Sequence, residues 1–383
     1  MNWTWKALIL LNHLSARHCY ATRSPVAGAC NPQGQQWRRN TLAPLLLALG
    51  IFLQLAAGYS LVYLWQAAAW AALLYGCLLA RRAAGPRWVL VALVLILASF
   101  GSAALASWWR HDGLWAFNLH IALWMAPMLA YYIAAAYNAE RTLDWLIVGG
   151  WVMAGAVLYD GLTHAGLRAS GFTDSPNPAA QFLVVTAAWA LAKGIRARSP
   201  HPVWAAVPMV AVLPLTGSRW PMATLALVIV GLLVTRRDAW QSWGRTAPVM
   251  VALLTATLVS CAYAPLQDRL AADIMLSDTA RRMTMERTVS LWPTGIVGTG
   301  EGSVHNVPLR MAMELGLPAT LAWAGVTGYA LWRRPRYDGA WWALATVVVL
   351  EMMDYSLYVG PLAPLWWLLV GARVRQQGQR AHA

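Results

Sequence analysis

The sequence predicts an all-α fold, a polytopic membrane bundle of about 12 transmembrane helices, and three observations carry that prediction. Of its 383 residues, 59% are apolar and 11% charged, too little polar surface to coat the two or three soluble domains such a length would otherwise suggest. The apolar residues fall in runs near the ~20 residues that cross ~30 Å of hydrocarbon, without the period-two alternation of barrel strands. Tryptophan occurs 24 times, a usage suited to the membrane interface, where an indole keeps one edge wet and buries its body.

Taken from the start, residues 1–40 read as an N-terminal cytoplasmic tail. The apolar run Ala7 to Leu11 is shorter than a signal-peptide core, and Asn12 and His13 follow it directly, which favours a tail or an early start site over a cleaved signal. Residues 41–383 form the transmembrane domain. Its spans fall near 41–59, 61–80, 87–107, 115–137, 145–163, 178–194, 202–216, 220–235, 246–264, 311–331, 340–356 and 361–372. Backbone polar groups must be satisfied inside each segment in lipid, so these runs are helices.

Charge orients the bundle. The formal net charge is +14, yet the basic residues are scattered in twos and threes between apolar runs, which is loop charge and gives no groove for nucleic acid. Placing alternate loops in the cytoplasm puts eighteen lysines and arginines between Arg38 and Arg380 inside. Outside fall eight: Arg110, Arg168, Arg219, Arg269, Arg281, Arg282, Arg287 and Arg310. Positive charge stays cytoplasmic in short loops, so both termini are predicted inside and the long loop 264–304 outside. Cytoplasmic Asp144 and Asp238 read as solvated. The cysteines Cys19, Cys30, Cys77 and Cys261 have no metal-ligand spacing and give neither a disulfide scaffold nor a zinc site.

The outward segments hold nearly all the unusual residues. Gly166-Leu167-Arg168-Ala169-Ser170-Gly171-Phe172 leads to Ser175-Pro176-Asn177-Pro178. Leu215-Thr216-Gly217-Ser218-Arg219 makes a tight turn between two spans. Arg281, Arg282 and Arg287 precede Gly298-Thr299-Gly300-Glu301-Gly302, then His305-Asn306-Val307-Pro308 and Glu314-Leu315-Gly316-Leu317. This ordered set resembles the O-antigen ligase and polymerase superfamily of membrane glycosyltransferases over roughly Gly166 to Leu369, with Trp220 a departure where many relatives have a small residue. The resemblance implies a C-type glycosyltransferase-like fold, no metal and no cofactor. It also implies an undecaprenyl-diphosphate-linked glycan as donor, used on the periplasmic face of a bacterial inner membrane. Lipid A-core is the first-choice acceptor; O-antigen polymerase and protein O-oligosaccharyltransferase are alternatives with the same donor. Membrane lipid is the remaining partner.

The residues support that chemistry independently. A diphosphate offers about two charges and many acceptor oxygens to the planar guanidinium fork, so Arg168, Arg219, Arg281, Arg282 and Arg287 are candidate donor-binding residues. Each can equally snorkel to the interface. Transfer to a hydroxyl needs a base, and His305, after a glycine-rich loop, is the first candidate with Glu301 second. Asn306 is expected to support the site or to cap the helix that Pro308 helps start. Asp354 and Glu351 sit near the outer end of the eleventh span, where a carboxylate costs up to ~3 kcal/mol unless paired or hydrated. They are expected to face the same cavity, or Asp354 to pair with an outer arginine. Glu314 is expected to complement a helix N-terminus or to support the arginines. No Walker-type loop, His-Glu-x-x-His or outer Asp-x-Asp is present, which argues against nucleotide hydrolysis and metal chemistry. The competing class is a lipid-linked glycan transporter, for which an internal repeat and midplane charges would be expected.

Overall fold

The structure, a computed structural model, describes residues 42, 44–51, 53, 71, 86–110, 128–136, 139–164, 168–173, 175–197, 200–235, 255, 279, 282, 283, 286, 306–332, 339–352 and 362–381. All lie in the compact unit Arg39–Ala383. The fold is all-α, with no strand among the described residues.

Its helices are α1 (Arg87–Arg110), α2 (Met128–Ala136), α3 (Ala139–Thr163), α4 (Pro176–Ala197) and α5 (Pro200–Val212). A 3-10 turn, Leu213–Thr216, leads into α6 (Arg219–Thr235). The later helices are α7 (Val307–Glu314), α8 (Leu317–Trp332), α9 (Gly339–Glu351) and α10 (Ala363–Ala381). Proline opens α4 and α5, where its missing N–H is one that a first turn leaves unpaired anyway.

Helix α4 is the hub. It packs against α3, α5, α6 and α9 and is buried almost throughout from Ala179 to Ala192. Helix α10 lies against α2, α8 and α9. Outer faces are apolar instead of polar: Leu90 and Val91 on α1, Tyr159 and Leu162 on α3, and Leu227, Val230 and Val234 on α6 are all exposed. Contiguous exposed apolar surface of this kind needs an apolar solvent or partner. Among the described residues, two helices, Glu140–Thr163 and Pro176–Arg196, are long and apolar enough to cross a membrane, and four shorter ones are apolar.

Several predicted spans change. The span expected at 311–331 is two helices, α7 and α8, broken at Leu315–Gly316, where Gly316 has φ 88. A left-handed glycine followed by Pro318 near the next helix start ends one helix and begins another. The span expected at 361–372 continues to Ala381. Arg373, counted as a cytoplasmic loop charge, is instead 0% exposed. Its Nε donates to Ala330 O at 3.0 Å, and Gln377 Nε2 donates to Tyr329 O at 2.7 Å. A cation thus meets the otherwise unpaired carbonyls at the end of α8, where the helix dipole favours it. Asp144, expected to be solvated, accepts from Lys193 Nζ and, at 3.3 Å, from Trp189 Nε1. Arg196 Nη1 reaches Glu140 Oε1 at 3.0 Å beside it. These contacts tie α3 to α4 at one end of the bundle.

The spans expected at 41–59, 61–80 and 246–264, and the loop 264–304, lie outside the described residues apart from the few helical positions named above.

Candidate functional site

At the opposite end, the C-terminus of α3 and the N-termini of α4 and α6 are sewn together by one arginine. Arg168 Nε donates to Thr216 O at 2.9 Å, and its Nη2 donates to Asn177 Oδ1 and to Ser218 Oγ, each at 3.0 Å. Ser218 Oγ in turn donates to Asn177 Oδ1 at 3.0 Å. The three motif pieces that lie up to fifty residues apart, Arg168, Asn177 and Ser218, therefore meet at one hydrogen-bonded node.

The turn carrying Ser218 is shaped by its own sequence. Pro214 sits at the start of the 3-10 turn, Thr216 Oγ1 donates to Leu213 O at 2.7 Å, and Gly217 N donates to Pro214 O at 2.9 Å. Gly217 has φ 60, and a Cβ there would meet Arg168 Cγ and Nε at 3.2 Å. Only glycine gives this backbone conformation without strain while letting the arginine stem pass over it. Ser218 O accepts the N–H of Met222 at 3.4 Å, so Ser218 stands at the N-cap of α6 and Arg219 is the first helical residue. Arg219 is half-buried there, at a helix N-terminus where backbone N–H groups and the dipole favour an anion.

The Arg168 segment is anchored from below. Ala169 N donates to Leu215 O at 2.9 Å. Asp160, in the last turn of α3, accepts from Ser170 N at 2.7 Å, Gly171 N at 3.2 Å and Ser170 Oγ at 3.3 Å. Asp160 was read through as part of an apolar span. Its Asp-x-x-x-His spacing with His164, just ahead of the arginine segment, was the available signal.

Asn306 caps α7 as expected: its Oδ1 accepts from Leu309 N at 3.1 Å. Loss of such a cap costs about 1 kcal/mol. Its Nδ2 also donates to Met352 O at 3.1 Å, tying α7 to the end of α9. Glu314 closes α7 and does not open a helix, so the expected complement to an N-terminal dipole is replaced by support of an arginine. Arg310 Nε donates to Glu314 Oε1 at 2.7 Å, with both side chains largely buried. Arg310 was counted among the outer charges without a role, although its i,i+4 spacing to Glu314 was readable.

Depth along α9 follows from two close approaches. The ring of Trp189 on α4 lies against Gly339, and that of Trp342 against Gly231 on α6. Both anchors fall late in α4 and α6, so α9 stays packed along its length against them only by running antiparallel. Counting back equal numbers of residues sets Glu351 at the depth of Asn177 and Met222. The Asn306 anchor at Met352 and the Arg168 node therefore occupy one level of the bundle. Glu351 is 0% exposed, and neither carboxylate oxygen has a hydrogen-bond partner among the described residues, an arrangement that is costly in an apolar interior.

Arg282, expected at the donor, pairs with Glu286 at 2.8 Å on an exposed surface. That hydrogen bond raises the arginine pKa further, and a pair so exposed adds little to stability. Arg281, Arg287, Glu301, His305 and Asp354 lie outside the described residues. Among the described residues, no three His, Cys, Asp or Glu side chains come together as a metal site. No family model matches the chain, and no curated protein matches it.

Proposed function

We propose that the chain is a membrane glycosyltransferase that moves a glycan from a lipid diphosphate, of the undecaprenyl-diphosphate class, to a hydroxyl acceptor, with lipid A-core as the first choice. The observation that carries the proposal is the Arg168–Asn177–Ser218 node, which fixes Arg219 at the mouth of α6. A guanidinium held at a helix N-terminus suits a diphosphate, because fork and backbone donors act on the same oxygens. No metal is required for such binding. His305, with Glu301 as second candidate, is the base that the sequence alone assigns, and Asn306, Arg310 and Glu314 follow it in the chain at the start and along the length of α7.

On this reading the chain is a C-type bundle of about 12 transmembrane helices in a bacterial inner membrane. Both termini are cytoplasmic, and the node faces the periplasm. The bias of eighteen cytoplasmic to eight external basic residues supports the orientation. A single cysteine placed in the loop 264–304 should react with an impermeant maleimide in intact spheroplasts. Reaction only after permeabilisation would invert the bundle and put the site in the cytoplasm.

The function is tested by reconstituting the purified protein with lipid-diphosphate-linked glycan and offering lipid A-core, a second lipid-linked glycan, or a pilin-type protein in turn. Covalent product with lipid A-core is the expected result. Product with one of the other two acceptors would reassign the enzyme to polymerase or protein oligosaccharyltransferase. Movement of the donor across the bilayer without any product would favour a transporter.

A further inference from the structure

The end of α3 holds a side-chain group whose imidazole, that of His164, the donor site leaves unused. His164 Nδ1 lies 2.9 Å from Asp160 Oδ1 and 3.1 Å from Thr163 Oγ1. Thr163 Oγ1 gives its own hydrogen to Tyr159 O at 2.8 Å, so toward the imidazole it can only accept. The Asp160 carboxylate also accepts. Both neighbours therefore require a hydrogen on Nδ1, and the neutral ring keeps its lone pair on Nε2.

The rest of the group holds that ring in place. Asp160 Oδ2 is committed to two backbone N–H groups and a hydroxyl on Ser170 and Gly171, so the carboxylate has no freedom to turn from His164. A carboxylate that fixes tautomer and ring orientation in this way presents the lone pair of the other nitrogen in one direction. The His164 side chain is 60% exposed, which leaves Nε2 open to a large acceptor. The segment that Asp160 pins is the one that carries Arg168, two residues before Ser170. Gly161, one turn before His164, would touch Leu215 of the Ser218 turn at 3.2 Å if it bore a Cβ. The imidazole thus stands on the element that walls the donor site.

We propose that His164, oriented by Asp160, is a catalytic residue whose Nε2 takes the proton from the acceptor hydroxyl. The proposal rests on the glycosyl-transfer reading above. As the acceptor oxygen bonds to the anomeric carbon, the bond from that carbon to the diphosphate oxygen breaks and its electron pair leaves with the diphosphate. The hydroxyl proton passes to Nε2, and Asp160 stabilises the imidazolium that results. Atoms and charge balance without a further reactant. One proton is released per transfer, so His164 and His305 compete for a single role.

The test uses the full-length protein in proteoliposomes with lipid-diphosphate-linked glycan and whichever acceptor the wild type uses. His164→Gln keeps a polar side chain without a base. Its kcat should fall about 100-fold or more while donor KM stays within about twofold, since a base acts in the transition state and not in donor binding. His305→Ala is measured beside it. A His164→Gln rate within about threefold of wild type overturns the proposal, well short of what a general base contributes, and a concurrent loss in His305→Ala returns the role to His305. A His164→Gln protein that loses donor affinity in step with rate also overturns it, because the ring would then only brace the Arg168 segment. Wild-type protein that transfers to no acceptor removes the glycosyl-transfer reading itself, an outcome visible before any variant is compared.

Discussion

Arg168→Ala should lower the unfolding temperature sharply and abolish transfer, because the arginine holds the site together before any donor arrives. Three of its hydrogen bonds reach Thr216 O, Asn177 Oδ1 and Ser218 Oγ. Hydrogen bonds to a charged group contribute roughly 1.5–3 kcal/mol each. Neighbouring bonds share partners and are not additive, so a loss of roughly 3 kcal/mol is expected. The turn that positions Arg219 would lose its brace to α4, while Gly217 would remain in a left-handed conformation with nothing packed over it. Arg168→Lys should fall in the same direction, since an ammonium on a flexible stem cannot span three acceptors that a planar fork meets at once. Thermal unfolding in detergent and donor binding, measured on the same preparation, decide between this role and the donor contact read from sequence. An unchanged unfolding temperature with donor affinity weakened more than about tenfold, a loss of about 1.4 kcal/mol, would restore Arg168 to the diphosphate.

The contrast between those two roles shows what a sequence carries and what it does not. Apolar run length placed α1, α4 and α6 closely, because an unbroken apolar run of this length between polar and helix-ending residues forms one continuous helix. The same rule ran through Gly316, where Gly-Leu-Pro was a legible break that run length alone does not register. It also stopped α10 at Arg373, because an arginine reads as a loop charge until the carbonyls of Tyr329 and Ala330 are seen to receive that end of the helix. The motif pieces around Arg168, Asn177, Ser218 and Arg219 were legible as unusual polar residues between apolar spans. Their division of labour was not. Which arginine braces the turn depends on partners brought together by packing of α3, α4 and α6, and hydropathy holds no record of that packing. Asp160 and His164 offered only their Asp-x-x-x-His spacing: a carboxylate inside an apolar run reads as an anomaly until the backbone N–H groups it accepts from are in place.

Arg219→Lys should weaken donor binding by about tenfold or more, because lysine keeps the positive charge at the start of α6 and gives up the planar fork. The turn is shaped by Pro214, Thr216, Gly217 and the Arg168–Asn177–Ser218 node. Arg219 is the first residue of α6 and is half-buried, so its Cα has little freedom. A diphosphate there would meet the guanidinium fork and the N-terminal N–H groups of α6 together. Lysine keeps the charge and much of the stem. It gives up the bidentate geometry, replacing two parallel charge-assisted bonds with one point contact. One such bond is worth about 1.5–3 kcal/mol, and a tenfold change in affinity requires about 1.4. The loss should therefore appear first in donor KM, and a donor competitor with a monophosphate should discriminate less between the two proteins than one with a diphosphate. Donor affinity and turnover equal to wild type in the lysine protein would leave Arg219 as an interface anchor and remove the diphosphate from this turn.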